Sequence, residues 1–218
     1  MHVLVPLKLL EDAKQRLGGS LSAAERRAMT LAMAADVLSA VAGSRSAGSW
    51  TLISRNPEAD ALTEHFGGQR FVEPATCNLP GALHAAIADL PAAQRAGGIL
   101  VLPADLPLLT ALDIDCILDA HQALAAQGPA CTLVADAALI GTNALALTPA
   151  DAMQLIFDGQ SYRPHLRAAI RHGLLVQTLR LGNFGLDIDT PGDLEALLEV
   201  RPNSHAGRCL RELRAARS

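Results

Sequence analysis

The sequence predicts an α/β protein in three layers, in which a mostly parallel, twisted sheet is covered by helices on both faces. Strand-like apolar runs alternate with helical segments along the chain, which is typical of repeated βα units. The run at residues 98–102 is apolar throughout, as expected of a strand buried on both faces. Capping residues stand between the runs: Ser22 with Glu25, and Thr110 with Asp113, so helices are expected to begin there.

Each further element is placed by its own pattern of apolar, capping and turn residues. Strands are expected, in chain order, at residues 2–7, 50–54, 70–73, 98–102, 130–135, 143–147 and 175–180. Helices are expected at residues 22–42, 57–66, 80–90, 110–127, 149–157 and 161–172, and a last one is opened by Thr190, Pro191 and Asp193. No repeat or long linker interrupts this order, so we expect one domain over residues 1–200 and a basic tail over 201–218.

Composition limits the class of protein. Half of the 218 residues are hydrophobic and 3% are aromatic, so an aliphatic core is expected. The net charge of −4 argues against a general nucleic-acid binder. The apolar runs fall short of the roughly 18 residues of a membrane span, and the start of the chain lacks the layout of a secretory signal. The four cysteines form no CxxC pair, as expected of reduced thiols in a cytoplasmic protein.

The basic stretch of the chain is its tail. It contains Arg201, Arg208, Arg211, Arg214 and Arg217. This spacing predicts a basic helical face or a frayed end, and a solvated tail is the favoured interpretation. Contact with nucleic acid or an acidic partner is the alternative, although the tail lacks the aromatic residues on which single-stranded nucleic acids stack.

The segment LDIDTPGDL at residues 186–194 is a candidate metal site. In an extended strand Asp187 and Asp189 would share one face, while Leu186 and Ile188 would point into the core. Two carboxylates on one face repel each other unless a cation lies between them. The alternative is a solvated strand end at which Asp189 belongs to a local turn.

Ligands of open α/β sheets bind outside the carboxyl ends of the strands, and the loop after the first strand contains both lysines of the chain. They are Lys8 and Lys14, and Arg16 follows two residues later. A lysine ammonium suits a phosphate as a point charge. We interpret this segment as a polyphosphate-binding loop; a solvated loop with incidental lysines is the alternative.

Asp105 follows the buried strand at residues 98–102 and stands between Pro103 and Pro107, which restrict its backbone. An ionised carboxylate at the edge of an apolar core needs a partner. Together with Asp187 and Asp189 it would supply three oxygen ligands, a set that favours Mg²⁺. We expect the three aspartates to surround one ion opposite the two lysine ammonium groups.

Two short segments join small residues to hydroxyls at element boundaries: GTN at residues 141–143 and GQS at 159–161. Such segments can surround an anion with backbone N–H groups and hydroxyls. Ser161 would also cap the following helix, which is its alternative role. His165 lies one turn beyond Ser161 on the same face and either contacts an anion or is a buried polar residue.

Several common catalytic patterns are missing from the sequence: GxGxxG after a strand, GxxxxGK[ST], HExxH and GxSxG. Their absence argues against nicotinamide oxidoreductases, Walker-type ATPases, zinc proteases and serine hydrolases.

Several segments carry a resemblance to a known family: LVPLKLLEDAKQRL, ERRAMTLAMAADVL, VLPADLPLL, GTNALAL, the Ser161–His165 pair and LDIDTPGDL. They occur in the order found in the phospholactate guanylyltransferases, which the chain resembles over residues 2–198. The resemblance implies a Rossmann-like nucleotidyltransferase fold and a step in the synthesis of the deazaflavin coenzyme F-420. In that step GMP from GTP is joined to a three-carbon phospho-acid, and pyrophosphate is released.

The resemblance also implies roles for the candidate residues. It makes Asp105, Asp187 and Asp189 the ligands of Mg²⁺, and Lys8, Lys14 and Asp105 the catalytic residues. It assigns nucleotide binding to Leu4, Pro6, Lys8, Lys14, Arg16, Gly81, Pro103 and Ala104. It assigns binding of the phospho-acid to Thr142, Asn143, Asp158, Gly159, Ser161 and His165. The implied partners are GTP and a small phospho-acid, with no nucleic acid or membrane, and a homodimer is compatible with the family.

Two departures from the family's pattern concern the acid. Leu79-Pro80 stands where the family usually has Leu-Asn, and Asp158 stands where its FGPGS segment has a glycine. A carboxylate at that position would repel an anionic substrate unless it turns away or meets a cation. The candidate acids are 2-phospho-L-lactate, phosphoenolpyruvate and 3-phospho-D-glycerate, and the departures slightly favour the last.

Two other functions stay open on the sequence. One is a related nucleotidyltransferase with another acceptor, which the missing glycine-rich first loop disfavours. The other is a nucleotide-binding regulatory protein without activity, which the retained lysines and aspartates disfavour.

Overall fold

The computed structural model describes residues 1–10, 14–184 and 188–217. The strands in these residues are β1 (His2–Pro6), β2 (Ser49–Ile53), β3 (Gln69–Phe71), β4 (Ile99–Val101), β5 (Ala130–Ala135), β6 (Thr142–Thr148) and β7 (Leu175–Leu179). The α-helices are α1 (Ala23–Gly43), α2 (Glu58–Phe66), α3 (Leu79–Asp89), α4 (Ala92–Gly97), α5 (Ala111–Ala125), α6 (Tyr162–Arg171), α7 (Pro191–Val200) and α8 (His205–Ala215). Short 3₁₀ turns lie at Gln15–Leu17 and Gly182–Phe184.

The strands form one mixed sheet in the order β3-β2-β1-β4-β6-β5-β7. Every neighbouring pair is parallel except those that include β6, which runs antiparallel to β4 and β5. The predicted α/β class and mostly parallel sheet are therefore confirmed.

The direction of β6 follows from the short loop, residues 136–141, that joins it to β5. A connection of this length can join only antiparallel strands, since a parallel pair needs a crossover of a dozen or more residues. As a result, the first residues of β6 lie at the same edge of the sheet as the last residues of β1, β4 and β5.

Alternate residues of the strands face two different cores, which gives the predicted three layers. Val3, Leu100 and Ala146 face a core completed by α1, α2 and α5. Leu4 and Val101 face the other core, completed by α3 and α6. Both cores are rich in aliphatic side chains, as the low aromatic content predicts.

The basic tail is largely helical. Residues His205–Ala215 form α8, which contacts α1 and α7. Its buried Leu210 packs in a third core with Met33 of α1, Leu197 of α7 and Ile188. The predicted inward direction of the Ile188 side chain is confirmed by its complete burial.

One predicted helix is wrong. Residues 149–157 form turns and irregular structure, although Met153 and Leu155 are buried. Two backbone N–H groups of this segment are bound by imidazoles: Leu155 N–H donates to His84 Nε2 and Ile156 N–H to His165 Nε2. These acceptors, which lie outside the segment, take the place of the carbonyls that would accept in a helix.

No helix among the described residues is long and apolar enough to cross a membrane.

Candidate active site

A cavity of about 530 Å³ opens at the carboxyl edge of the sheet. Its walls come from the ends of β1, β4 and β5, the start of β6 and the loop before α6. Most of the predicted site residues line it: Pro6, Lys8, Lys14, Arg16, Pro103, Ala104, Asp105, Thr142, Asn143, Gly159, Ser161 and Asp189.

Lys14 lies at the centre of the cationic side of this cavity. Its Nζ donates to Asp105 Oδ2 at 2.8 Å and to Asp189 Oδ1 at 2.9 Å, and its side chain is 8% exposed. The sequence predicted the ammonium groups opposite the carboxylates; Lys14 instead lies between Asp105 and Asp189. Two neighbouring carboxylates repel each other, and the ammonium between them offsets that repulsion.

The pKa values of this cluster follow from its contacts. Burial would lower the pKa of Lys14, but the charges and hydrogen bonds of Asp105 and Asp189 outweigh burial and raise it above its ordinary value. Burial would raise the pKa of Asp189, but the hydrogen bond and charge of Lys14, followed by the charge of Arg16, lower it. Lys14 and Asp189 are therefore both charged at neutral pH.

The Lys14 backbone is held in an unusual conformation. Its φ of 53° and ψ of 41° are left-handed, a region that a non-glycine residue adopts at some energetic cost. The 3₁₀ turn Gln15–Leu17 follows at once, and Leu17 is anchored in the third core. This turn carries Arg16, whose Nη1 lies 3.7 Å from Asp189 Oδ2.

Asn56, which the sequence analysis did not single out, holds the start of the first loop. Its Nδ2 donates to the Lys8 carbonyl at 3.0 Å, and its Oδ1 accepts from Leu10 N–H at 3.2 Å. Asn56 is buried and follows β2. The sequence contains a signal for Asn56, since it is a polar residue shortly after β2, at the sheet edge where the other candidate site residues lie.

The loop that carries Asp105 is fixed from both sides. Leu102 N–H donates to the Leu4 carbonyl at 3.0 Å, which continues the pairing of β4 with β1. At the other end, Arg201 Nη1 donates to the carbonyls of Leu108 and Leu109 at 3.0 Å. The first arginine of the predicted tail therefore anchors the loop of a candidate metal ligand.

Another part of the cavity lining presents hydroxyl groups. Ser161 Oγ lies 3.0 Å from Thr142 Oγ1, and Thr142 Oγ1 lies 3.0 Å from His165 Nδ1. Asn143 Nδ2 donates to the Phe184 carbonyl at 2.7 Å, which fixes the amide at the cavity wall. Thr142 and Asn143 reach this edge because β6 is antiparallel.

Asp136 also lines the cavity and was not predicted. It follows β5 directly, so the rule that singled out Asp105 applies to it as well. Its Oδ1 accepts from Ile140 N–H at 2.9 Å and its Oδ2 from Gly141 N–H at 2.7 Å. These bonds shape the loop that leads into β6.

Some predicted site residues do not line the cavity. Leu4 is in the core, Gly81 lies in the first turn of α3 and His165 is buried behind Thr142. Asp158 is exposed and accepts from Gln160 N–H at 3.0 Å in its own turn. Asp187 lies outside the described residues, and within those residues no group of three or more His, Cys, Asp or Glu side chains could hold a metal ion.

The sheet edge thus combines a cationic loop, two carboxylates and a hydroxyl pair around one cavity. A solved structure from Desulfovibrio desulfuricans G20, described as a nucleotide-diphospho-sugar transferase, shares the fold with a TM-score of 0.74, 17% identity and coverage of 98% of this chain and 95% of that one.

The chain belongs to the family described as "Guanylyl transferase CofC like", whose family pattern matches residues 1–217. It is 37% identical over 214 residues to a phosphoenolpyruvate guanylyltransferase of Roseiflexus castenholzii, covering 97% of this chain and 94% of that protein. It is 31% identical over 211 residues to a 2-phospho-L-lactate guanylyltransferase of Methanothermobacter thermautotrophicus, covering 97% and 90%. The predicted family is therefore confirmed, and the chain is an enzyme of the nucleotidyltransferase class.

Proposed function

We propose that this protein transfers GMP from GTP to the phosphate of a three-carbon phospho-acid, with release of pyrophosphate, in the synthesis of coenzyme F-420. The observation that carries the proposal is the Lys14 ammonium held between Asp105 and Asp189 in a cavity that Thr142 and Ser161 also line. The cationic part of the lining suits a triphosphate and the hydroxyl part suits a second, smaller anion.

The reaction needs no general base from the protein. The attacking group is a phosphate oxygen of the acid, and a phosphate monoester with a second pKa of about 6 is mostly a dianion at neutral pH. Its oxygen bonds to the α-phosphorus of GTP while the bond from that phosphorus to the pyrophosphate oxygen breaks. The barrier comes mainly from bringing two polyanions together, so positioning and charge compensation are the tasks of the site.

Lys8, Lys14 and Arg16 supply this compensation. All three line the cavity, and the 3₁₀ turn after Lys14 fixes the spacing between Lys14 and Arg16. Lys8 and Lys14 contact the phosphates as point charges, whereas Arg16, which is exposed at the rim, offers a planar fork to an outer phosphate.

Asp105 and Asp189 would hold a Mg²⁺ ion. Both donors are hard oxygens, and both approach one cation, the Lys14 ammonium, within hydrogen-bond distance. Mg²⁺ is commonly held by one or two carboxylates together with substrate phosphates, so this pair fits the ion, with Asp187 proposed as a third ligand. When bound, the ion would neutralise phosphate charge and orient the α-phosphate.

Phosphoenolpyruvate is our first choice of acceptor, since it is in the name of the Roseiflexus relative. The sequence favoured 3-phospho-D-glycerate partly because Asp158 would repel the usual acid. Asp158 is exposed, bonded within its own turn and absent from the cavity lining, which removes that objection. We also propose a cytoplasmic location and a homodimer. Sedimentation of the purified protein would test the homodimer.

The test is an acceptor panel. Purified protein, Mg²⁺ and each of the four ribonucleoside triphosphates are incubated with phosphoenolpyruvate, 2-phospho-L-lactate, 3-phospho-D-glycerate, a sugar phosphate and a molybdopterin, and pyrophosphate release and product mass are recorded. We expect turnover with GTP and a three-carbon acid, and the greatest kcat/KM with phosphoenolpyruvate. Turnover only with a sugar phosphate or pterin would indicate the related-transferase alternative, and no turnover with any pair would indicate the regulatory one.

A further inference from the structure

His165 is a buried histidine whose tautomer is fixed by the backbone. It lies on α6 with no exposed surface. The N–H of Ile156 donates to its Nε2 at 2.7 Å, so Nε2 carries no proton. Burial lowers the pKa of His165 to about 4 against the opposing charge of Asp158, so the imidazole is neutral at neutral pH. Its one proton is therefore on Nδ1.

That Nδ1 proton has one partner, the Thr142 hydroxyl, at 3.0 Å. Thr142 Oγ1 is also 3.0 Å from Ser161 Oγ. A hydroxyl has one proton and two acceptor positions. If Ser161 donates to Thr142, both acceptor positions of Thr142 are occupied and its own proton is left over. If Thr142 donates to Ser161, the Ser161 proton is left over. In either arrangement, one hydroxyl proton of the pair is not used inside the trio.

The cavity is the open direction for that proton. Thr142 and Ser161 are 4% and 2% exposed, and both line the cavity. Asp136, a carboxylate that also lines the cavity, accepts hydrogen bonds on both oxygens from backbone N–H groups of its own loop. Donors directed into a cavity select an oxyanion, and they do so most effectively when they are oriented in advance.

We propose that His165 is a positioning residue for the acid-binding end of the cavity, where its Nδ1–H orients the Thr142–Ser161 hydroxyl pair to donate a hydrogen bond to an oxyanion of the phospho-acid. The identity of that anion rests on the proposed function; the orientation of the hydroxyl pair does not. His165 thus acts through Thr142 without touching the substrate.

The test compares two substitutions of His165. His165→Leu replaces the imidazole with an apolar side chain and so removes the donor. The KM for phosphoenolpyruvate is expected to rise about tenfold or more, while kcat and the KM for GTP change less than about twofold. His165→Asn places an amide N–H near the Nδ1 position and is expected to restore the KM for the acid to within about threefold of the wild type.

The matched control is His121→Leu. His121 is equally buried and lies between the hydroxyls of Thr132 and Thr148, outside the cavity lining. We expect this change to lower the melting temperature without changing the KM for the acid. If His165→Leu does not fold, Thr142→Val provides the second variant, since it removes the hydroxyl that His165 orients and should raise the same KM.

Titration calorimetry with phosphoenolpyruvate gives a readout independent of turnover. A Kd for the acid that rises about tenfold in His165→Leu and recovers in His165→Asn supports the proposal. Equal effects of the two variants, or equal changes of kcat and both KM values, would overturn it. Failure of the wild type to bind any phospho-acid would also overturn it, whereas binding without guanylyl transfer would contradict only the proposed function.

Discussion

At the scale of single residues, Lys14 determines the charge balance of the cavity. Its ammonium pairs with Asp105 and, together with Arg16, with Asp189. Only two lysines occur in the chain, against sixteen arginines, and both line this cavity. A compact ammonium fits between two carboxylates, whereas a guanidinium is broader and bonds in a fixed plane.

We therefore expect Lys14→Arg to lower kcat/KM for GTP by about tenfold or more while the charge is retained. Steady-state kinetics with varied GTP measure this effect. Arg167→Lys, on the exposed face of α6, is the control and should leave kcat/KM within about twofold of the wild type. Equal behaviour of the two variants would show that the geometry of the Lys14 ammonium is unimportant.

At the scale of elements, the position of α8 depends on one carboxylate of α1. Asp36 interrupts the mostly apolar run at residues 31–42 of α1. Its Oδ1 and Oδ2 accept from His205 N–H at 2.7 Å and from Ala206 N–H at 2.9 Å. These are free N–H groups of the first turn of α8, which a helix cannot satisfy internally. Asp36 therefore supplies part of the N-terminal cap of α8, although it lies 169 residues from His205 in the sequence.

Asp36→Ala should reduce the free energy of unfolding by about 1–2 kcal/mol, comparable to the loss of a helix cap. Asp36→Asn keeps one acceptor oxygen and should lose less. Urea denaturation followed by circular dichroism measures both, with the exposed Asp151→Ala as control. Stability of Asp36→Ala equal to that of the control would contradict the role of Asp36 in docking α8.

At the scale of the whole molecule, three buried histidines couple stability to pH. Burial lowers the pKa values of His2, His121 and His165 from 6.5 to about 4. Between these values the unfolded chain binds protons that the folded chain does not. The stabilisation is therefore complete above pH 6.5 and is lost as the pH falls toward 4.

The expected slope is up to about 1.4 kcal/mol per pH unit for each histidine, and it can be measured by urea denaturation between pH 7 and pH 5. His121→Gln should decrease the slope relative to the wild type, because one site of proton uptake is removed. A free energy of unfolding that is constant from pH 7 to pH 5 would be the contrary result.

The sequence predicts the sheet, its flanking helices and most of the cavity lining, because apolar periodicity, caps and the carboxyl-edge rule depend on local residues. Lys8, Asp105 and Ser161 are found in this way. The position of Lys14 between two carboxylates, the cap from Asp36 and the burial of His165 depend on partners far away in the chain. The false helix at residues 149–157 has a related origin, since His84 and His165, both outside the segment, accept hydrogen bonds from backbone N–H groups that local reasoning assigns to a helix.

The central claim is that Asp105 and Asp189 organise the transfer of GMP to a phospho-acid in this cavity. The most direct measurement is the mass and amount of product formed from GTP, phosphoenolpyruvate and Mg²⁺ by the wild type and by Asp189→Asn. We predict that the wild type forms a product equal in mass to GMP joined to the acid, and that Asp189→Asn, with an unchanged circular dichroism spectrum, forms less than about 1% of it. Near-normal product formation by folded Asp189→Asn would contradict the account.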